Sequence, residues 1–224
     1  MQFIHNDLPI EIPELKTKNI NRKRFYETPN GKLYPSITTV LNKKKMQGIS
    51  EWRKKVGEDV ANYIARTAAN RGTKVHHMCE DFLNNNFDEE VHKKNFLPYV
   101  LFSQMKPVLM QKVNNILAQE VSLYTNKYKV AGRADCIAKY DGIPSIIDFK
   151  TSTKERNDDW NESYYIQASA YSEMFEERTS IAIPQIVILV VTEDGTVQEF
   201  IKEKGDFLDA LTDSVAEWKK QNET

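Results

Sequence analysis

Two aspartates, Asp135 and Asp148, lie in the stretch VAGRADCIAKYDGIPSIIDFKTS (residues 130–152), among alanine, isoleucine and phenylalanine, with Lys150 two positions after the second. A carboxylate in apolar surroundings needs a partner, because desolvation penalises its charge. Between the two, Asp141-Gly142 is a strong two-residue hairpin signal, since both residues accept the positive φ that such a loop demands. With that pair as the loop, Tyr140 faces Ile143 and Asp135 faces Asp148. Directly opposed side chains lie roughly 4.5–5.5 Å apart at Cβ, where like charges repel. Period two puts Arg133 on the face of Asp135 and Lys150 on the face of Asp148. Two readings fit. In one, a hard divalent cation such as Mg²⁺ or Mn²⁺ bridges the carboxylates while the lysine orients water or stabilises developing negative charge. In the other, Arg133 and Lys150 neutralise the aspartates in a surface ion-pair cluster.

Two further groupings could carry chemistry. In RGTKVHHMCEDFL, His76 and Glu80 are four apart and share a helix face, with His77 and Asp81 in the same turn. In QASAY, Gln167 and Tyr171 are likewise one helical turn apart. An ordinary amphipathic helix accounts for that second pair equally well.

The elements that must position these groups follow from periodicity. The segment through Pro35 reads as an arm and turn, with Asn30-Gly31 as a turn signal. Ser36 or Thr38 is placed to cap a short helix through TTVLNKKK. Trp52, Val56, Val60, Ile64 and Ala68 recur every four residues, and after Gly72 the pattern resumes through Val75, Met78, Cys79 and Phe82. A further helix spans 91–118, limited by Pro98 and Pro107. From about Gln119 the period becomes two, predicting three strands separated by Asn126-Lys127 and Asp141-Gly142. A helix over DDWNESYYIQASAYSEMFEER follows, then two strands around Asp194-Gly195, then a closing amphipathic helix. This order predicts an α/β fold with a mixed central sheet, a meander followed by a crossover helix, flanked by helices.

Taken in order, GTKVH (residues 72–76), GRAD (132–135), DFK (148–150) and QASAY (167–171) resemble the motif series of the RecB-like exonucleases in the PD-(D/E)XK nuclease superfamily. YPSITTVL, RGTKVHHMCEDFL and DWNESYYIQASAY are also similar to the group containing the mitochondrial genome maintenance exonuclease and its bacteriophage relatives, which act on single-stranded DNA ends. The resemblance implies a restriction-endonuclease-like core and a metal-dependent DNA exonuclease using Mg²⁺ or Mn²⁺ in replication, recombination or repair. It implies that Asp135 and Asp148 bind the metal, with the Phe149 carbonyl and His76 completing the shell and Lys150 catalytic. Gln167 and Tyr171 would position the DNA backbone, and Ser36, Thr38 and Arg71 would contact phosphates. Glu120 faces Arg133 if Asn126-Lys127 is the preceding hairpin loop, and would be an outer-shell or second-metal carboxylate. A structure-specific endonuclease with the same core, or a non-catalytic nucleic-acid-binding module, are the rival readings.

Composition bounds the rest. With 224 residues, 40% hydrophobic and 28% charged, the chain suits a folded soluble domain and excludes a disordered one. No apolar run approaches the ~20 residues of a membrane span, so no membrane partner is expected. Two cysteines, Cys79 and Cys136, cannot supply a four-cysteine iron–sulfur cluster, and they suit a reducing, cytoplasmic setting. The acidic, arginine-free start resembles no leader, so a bacteriophage or bacterial source is expected, with host cytoplasm as the location for a phage protein. The net charge of −1 is uneven: residues 16–55 hold twelve Lys/Arg against Glu27 and Glu51. Residues 1–56 therefore read as a basic DNA-binding segment, and 57–224 as the nuclease domain. Lys43, Lys44 and Lys45 are candidate contacts to a single strand with a free end, and Phe25, Tyr26 and Tyr34 are candidate stacking rings. Replication or recombination proteins are candidate further partners.

Overall fold

The computed structural model describes residues 2–222, apart from the side chains of residues 43–47. Its centre is a five-stranded sheet in the order β4-β5-β6-β7-β8. The strands are β4 (Val113–Thr125), β5 (Val130–Tyr140), β6 (Ile143–Ser152), β7 (Gln185–Thr192) and β8 (Val197–Glu203). Neighbours are antiparallel except β6 and β7, which run parallel. A parallel pair needs a crossover, and here helix α5 (Glu162–Thr179) supplies it. The predicted mixed sheet with meander and crossover is the observed one.

Each face of the sheet is covered. Helices α1 (Ile37–Val56), α5 and α6 (Leu208–Asn222) pack on one side, over Ile137, Ile146, Ile186 and Ile188. Helices α2 (Glu58–Leu83) and α4 (Phe96–Lys112) pack on the other, over Cys136, Ile147, Phe149 and Val187; a short α3 (Glu89–His92) precedes α4. Alternate residues of β5 and β6 thus feed two different cores, so both strands carry buried apolar residues on both faces. Among the described residues no helix is long and apolar enough to cross a membrane.

The Asp141-Gly142 loop forms as expected, with φ of 49° and 83°. Its register runs from Tyr140↔Ile143 to Cys136↔Ile147. The preceding loop differs. Thr125 pairs with Val130, so the turn has four residues, 126–129, and Lys129 takes the left-handed φ of 57°. Asn126-Lys127 has no glycine to enter a tight primed turn. Instead the Glu177 carboxylate of α5 accepts the Asn126 N–H at 3.0 Å and the Thr125 hydroxyl. The longer turn shifts the pairing by two residues, so Arg133 faces Ser122 and not Glu120.

Four other elements depart from expectation. The segment before α1 is no arm but a three-stranded antiparallel sheet, β1 (Lys16–Ile20), β2 (Lys23–Glu27) and β3 (Leu33–Pro35), joined to the core by a bridge between Ser36 and Ala131. Tyr26 and Tyr34, expected as stacking rings, are buried with Leu15 and Ala131, and Phe25 packs edge-on to Trp218. The helix expected to reach residue 118 stops at Lys112, because β4 begins six residues earlier. The four-residue stripe is partly solvent-facing: Val60 is 51% and Ile64 44% exposed, since α2 covers the sheet mainly from Arg71 onward.

Ser36 shows why α1 starts where it does. Its hydroxyl accepts the Thr39 N–H at 3.1 Å and bonds to the Thr38 hydroxyl at 2.9 Å, while its backbone N–H donates to Arg24. It is a buried N-cap. Replacing it with alanine should cost about 1 kcal/mol, the usual value of a lost cap, read as a lower denaturant midpoint at unchanged slope.

Candidate metal and active site

The candidate residues converge where β5 and β6 end their pairing and α2 crosses them. Beyond Cys136↔Ile147 the ladder opens, and the Asp135 carboxylate takes the free backbone donor: Phe149 N–H gives Oδ2 a 3.0 Å hydrogen bond. His76, on the α2 face beside buried Val75, places Nδ1 3.3 Å from the same Asp135 oxygen. Its ring stands edge-on to Phe149 at 6.1 Å and 89°, which fixes the imidazole plane.

Glu120 joins this pair because of the shifted register. It lies between Gln119↔Cys136 and Val121↔Ala134, opposite Asp135, with φ of 44°. Single donor atoms of His76, Glu120 and Asp135 all fall within 4.8 Å of one another. His76 and Glu120 border a depression of about 330 Å³ lined also by Gly72, Thr73 and His77. Burial, the Asp135 charge and the Glu80 charge push the Glu120 carboxyl up to about 6, with His76 and Arg133 opposing them. Arg133 stays within reach of Glu120 at 4.0 Å but is also paired with Glu14.

Asp148 is the most enclosed member, with 2% of its surface exposed. Neither of its oxygens receives a well-formed hydrogen bond among the described residues; Oδ2 only contacts the Lys150 ammonium as an ion pair. Burial pushes its carboxyl above the usual range; the Lys150 charge works against this and the Asp135 charge adds to it. Burial alone would lower Lys150, but Asp148 and Asp135 outweigh it and raise it, so the ammonium keeps its proton. Lys150 Nζ also donates to the Phe149 carbonyl at 3.3 Å and sits 5.1 Å from the centre of the Tyr164 ring.

Helix α5 contributes the far wall. Gln167 Nε2 donates to the Tyr171 hydroxyl at 3.0 Å. Burial holds the Tyr171 phenol well above its ordinary value, helped by Asp148 and Asp135, so it stays a neutral hydroxyl. Gly132 makes this approach possible: a Cβ there would stand 2.5 Å from Tyr171 Cε1.

The expected phosphate contacts are scattered. Ser36 is consumed as a cap and bonds to Thr38. Arg71 is buried, bonds to Thr151 Oγ1 at 3.3 Å and pairs with Glu193. The side chains of Lys43, Lys44 and Lys45 lie outside the described residues. Sequence reasoning missed Tyr164, although its three-residue spacing from Gln167 and seven-residue spacing from Tyr171 marks one helix face. It also missed Glu14 and Glu193, which meet Arg133 and Arg71 from distant positions with no local signal.

These donors suit a hard divalent cation: carboxylate oxygens and an imidazole close together, and a buried carboxylate oxygen, Asp148 Oδ1, without a hydrogen-bond donor among the described residues. No family model matches the chain. Over 130 residues it is 25% identical to human mitochondrial genome maintenance exonuclease 1, covering 54% of this chain. The chain spans about 38% of the length of that curated relative. A crystal structure of a candidate exonuclease from Eubacterium rectale aligns at 14% identity and TM-score 0.41, over 67% of this chain and 68% of that one. Another, of SSO0001, aligns at 15% identity and TM-score 0.31, over 66% of this chain and 71% of that one. The human relative bears the name of the exonuclease group that the stretches YPSITTVL, RGTKVHHMCEDFL and DWNESYYIQASAY resemble.

Two outcomes follow from the geometry. Gly132→Ala should cost about 1–3 kcal/mol through overpacking, and the cost should shrink in a Tyr171→Ala background, measured as a double-mutant cycle in denaturant. In metal-free protein, Glu120 contributes stability below about pH 4.5 that is lost as pH rises through about 6, because its folded carboxyl holds the proton more tightly. Glu120→Gln should therefore melt higher than the parent at neutral pH, and the gap should close in acid; a gap independent of pH would contradict the assignment.

Proposed function

We propose that the chain is a divalent-metal-dependent nuclease that hydrolyses DNA phosphodiesters, working from the ends of single strands in replication, recombination or repair. The observation that carries this reading is the joint placement of the His76–Glu120–Asp135 donors with the buried Asp148–Lys150 pair. His76, Asp135, Asp148 and the Phe149 carbonyl would hold Mg²⁺ or Mn²⁺, with Glu120 as a further carboxylate. When bound, such an ion polarises a phosphoryl oxygen and lowers the pKa of water.

The chain's own groups have separable tasks in this reading. Asp148 keeps Lys150 protonated and fixed over Tyr164, so Nζ offers a proton and a positive charge to a phosphate or leaving oxygen. Asp135 is oriented by the Phe149 N–H, which leaves its other oxygen free of that bond. Tyr171 and Gln167 supply neutral donors that can position a phosphate without adding charge. The basic segment 1–56, including Lys43, Lys44 and Lys45, would grip the strand.

Asp148→Asn should abolish hydrolysis while single-strand binding persists. Lys150→Ala should lower kcat by a factor on the order of 10² or more, the scale of a positioned acid–base or electrostatic group. A mutant with unchanged kcat and a raised KM would make Lys150 a substrate contact only. Mg²⁺ or Mn²⁺ should raise the melting temperature of the parent but not of Asp135→Asn, a readout independent of turnover. Digestion of linear but not circular single strands is the expected end-dependence; equal digestion of both would favour an endonuclease.

A further inference from the structure

A second surface has the chemistry of a strand-binding groove. Between the N-terminal sheet, the β4–β5 turn and α6 lies a cleft of about 540 Å³. Three lysines line it, Lys23 from β2, Lys129 from the turn and Lys219 from α6, and among the described residues no carboxylate does. Phe25 and Trp218 form its aromatic wall, 6.4 Å apart and edge to face. Among the described residues, the Lys23 ammonium meets the neutral Asn222 side chain. Elsewhere on this protein lysines meet acids, as Lys112 meets Glu199 and Lys204 meets Glu173. A cleft lined by three cations and three aromatic residues, Phe25, Trp218 and the buried Tyr34, with no anion among its described lining residues, is complementary to a polyanion that carries flat apolar rings.

We infer that this cleft binds single-stranded nucleic acid, its phosphates on Lys23, Lys129 and Lys219 and a base against Trp218, as a holding site separate from the metal centre. The inference rests on the proposed nuclease reading for its link to the active site. That link is one strand: Val130 lines the cleft and Asp135 follows five positions later on β5. At about 3.3–3.4 Å per residue the two points are roughly 17 Å apart, a span of a few extended nucleotides. Lys129 and Lys219 lie outside the basic segment of the sequence, and only folding brings them beside Lys23. Alternating cationic and aromatic groups hold a strand without reading its bases, which suits a site that must let the strand advance.

The test is binding of a fluorescent oligothymidylate to the full chain in EDTA, across a salt series. Substituting Lys23→Gln, Lys129→Gln and Lys219→Gln together should flatten the log–log salt slope by about 2, at about 0.7 for each phosphate no longer neutralised. Oligothymidylate should also quench part of the tryptophan emission, and that part should vanish in Trp218→Phe. An unchanged slope together with a quench indifferent to Trp218→Phe would overturn the inference. The two readings fail separately. A chain that hydrolyses DNA with an unaltered slope in the triple variant and a quench indifferent to Trp218→Phe loses the cleft and keeps the nuclease. One that hydrolyses nothing yet binds in a lysine- and Trp218-dependent way keeps the cleft and loses the nuclease.

Discussion

Everything at the site depends on keeping a carboxylate, Asp148, out of water. Moving an ion from water into a protein interior costs several kcal/mol even after relaxation, and a second carboxylate nearby increases that cost. Asp148 meets this with one ammonium, Lys150, two residues away on the same strand face. The pair can only be enclosed because β6 is a central strand with β5 and β7 on either side and helical layers above and below. Asp135, on the neighbouring strand, is less enclosed and finds a backbone donor and an imidazole. The result is a gradient from a buried, charge-paired interior to a half-open rim of His76 and Glu120.

That gradient is built by packing as much as by charge. Tyr171 presses on the bare backbone at Gly132, which fixes the distance between α5 and β5. The same helix sends Tyr164 over Lys150 and Glu177 into the turn before β5. One helix therefore sets the ammonium, the hydroxyl donor and the strand register. A small shift of α5 would disturb all three together, so these features cannot be tuned independently.

The legible parts of the sequence were those with one local solution. Asp141-Gly142 admits a tight turn and little else, so the register of β5 on β6 followed from two residues. Asn126-Lys127 has no such uniqueness. Its turn is decided by the Glu177 carboxylate, some fifty positions away, and a two-residue shift moved Glu120 from Arg133 to Asp135. Period two preserves the face under a shift of two, so Glu120 remained on the correct side of the sheet while its partner changed. The N-terminal sheet was hidden for a different reason. Its strands are short, charged and mostly exposed, and alternation is weak where Tyr26, Tyr34 and Pro35 are the buried residues. The α2 stripe misled in the opposite sense, since apolar spacing reports a potential buried face and not whether the sheet extends far enough to cover it.

The distribution of charge completes the physical picture. Glu80, Glu120, Asp135 and Asp148 gather negative potential around the candidate metal site, where Arg133 is already committed to Glu14, as Arg71 is to Glu193. A polyanion gains nothing from approaching such a site unaided. Under the proposed reading a bound cation reverses the local sign, while lysines at a distance supply the attraction that brings the strand near. In that reading, separating these tasks would let a phosphate be held by a small number of neutral contacts and the cation. The remaining affinity then comes from groups that take no part in bond breaking, so it need not hold the substrate more tightly than the transition state.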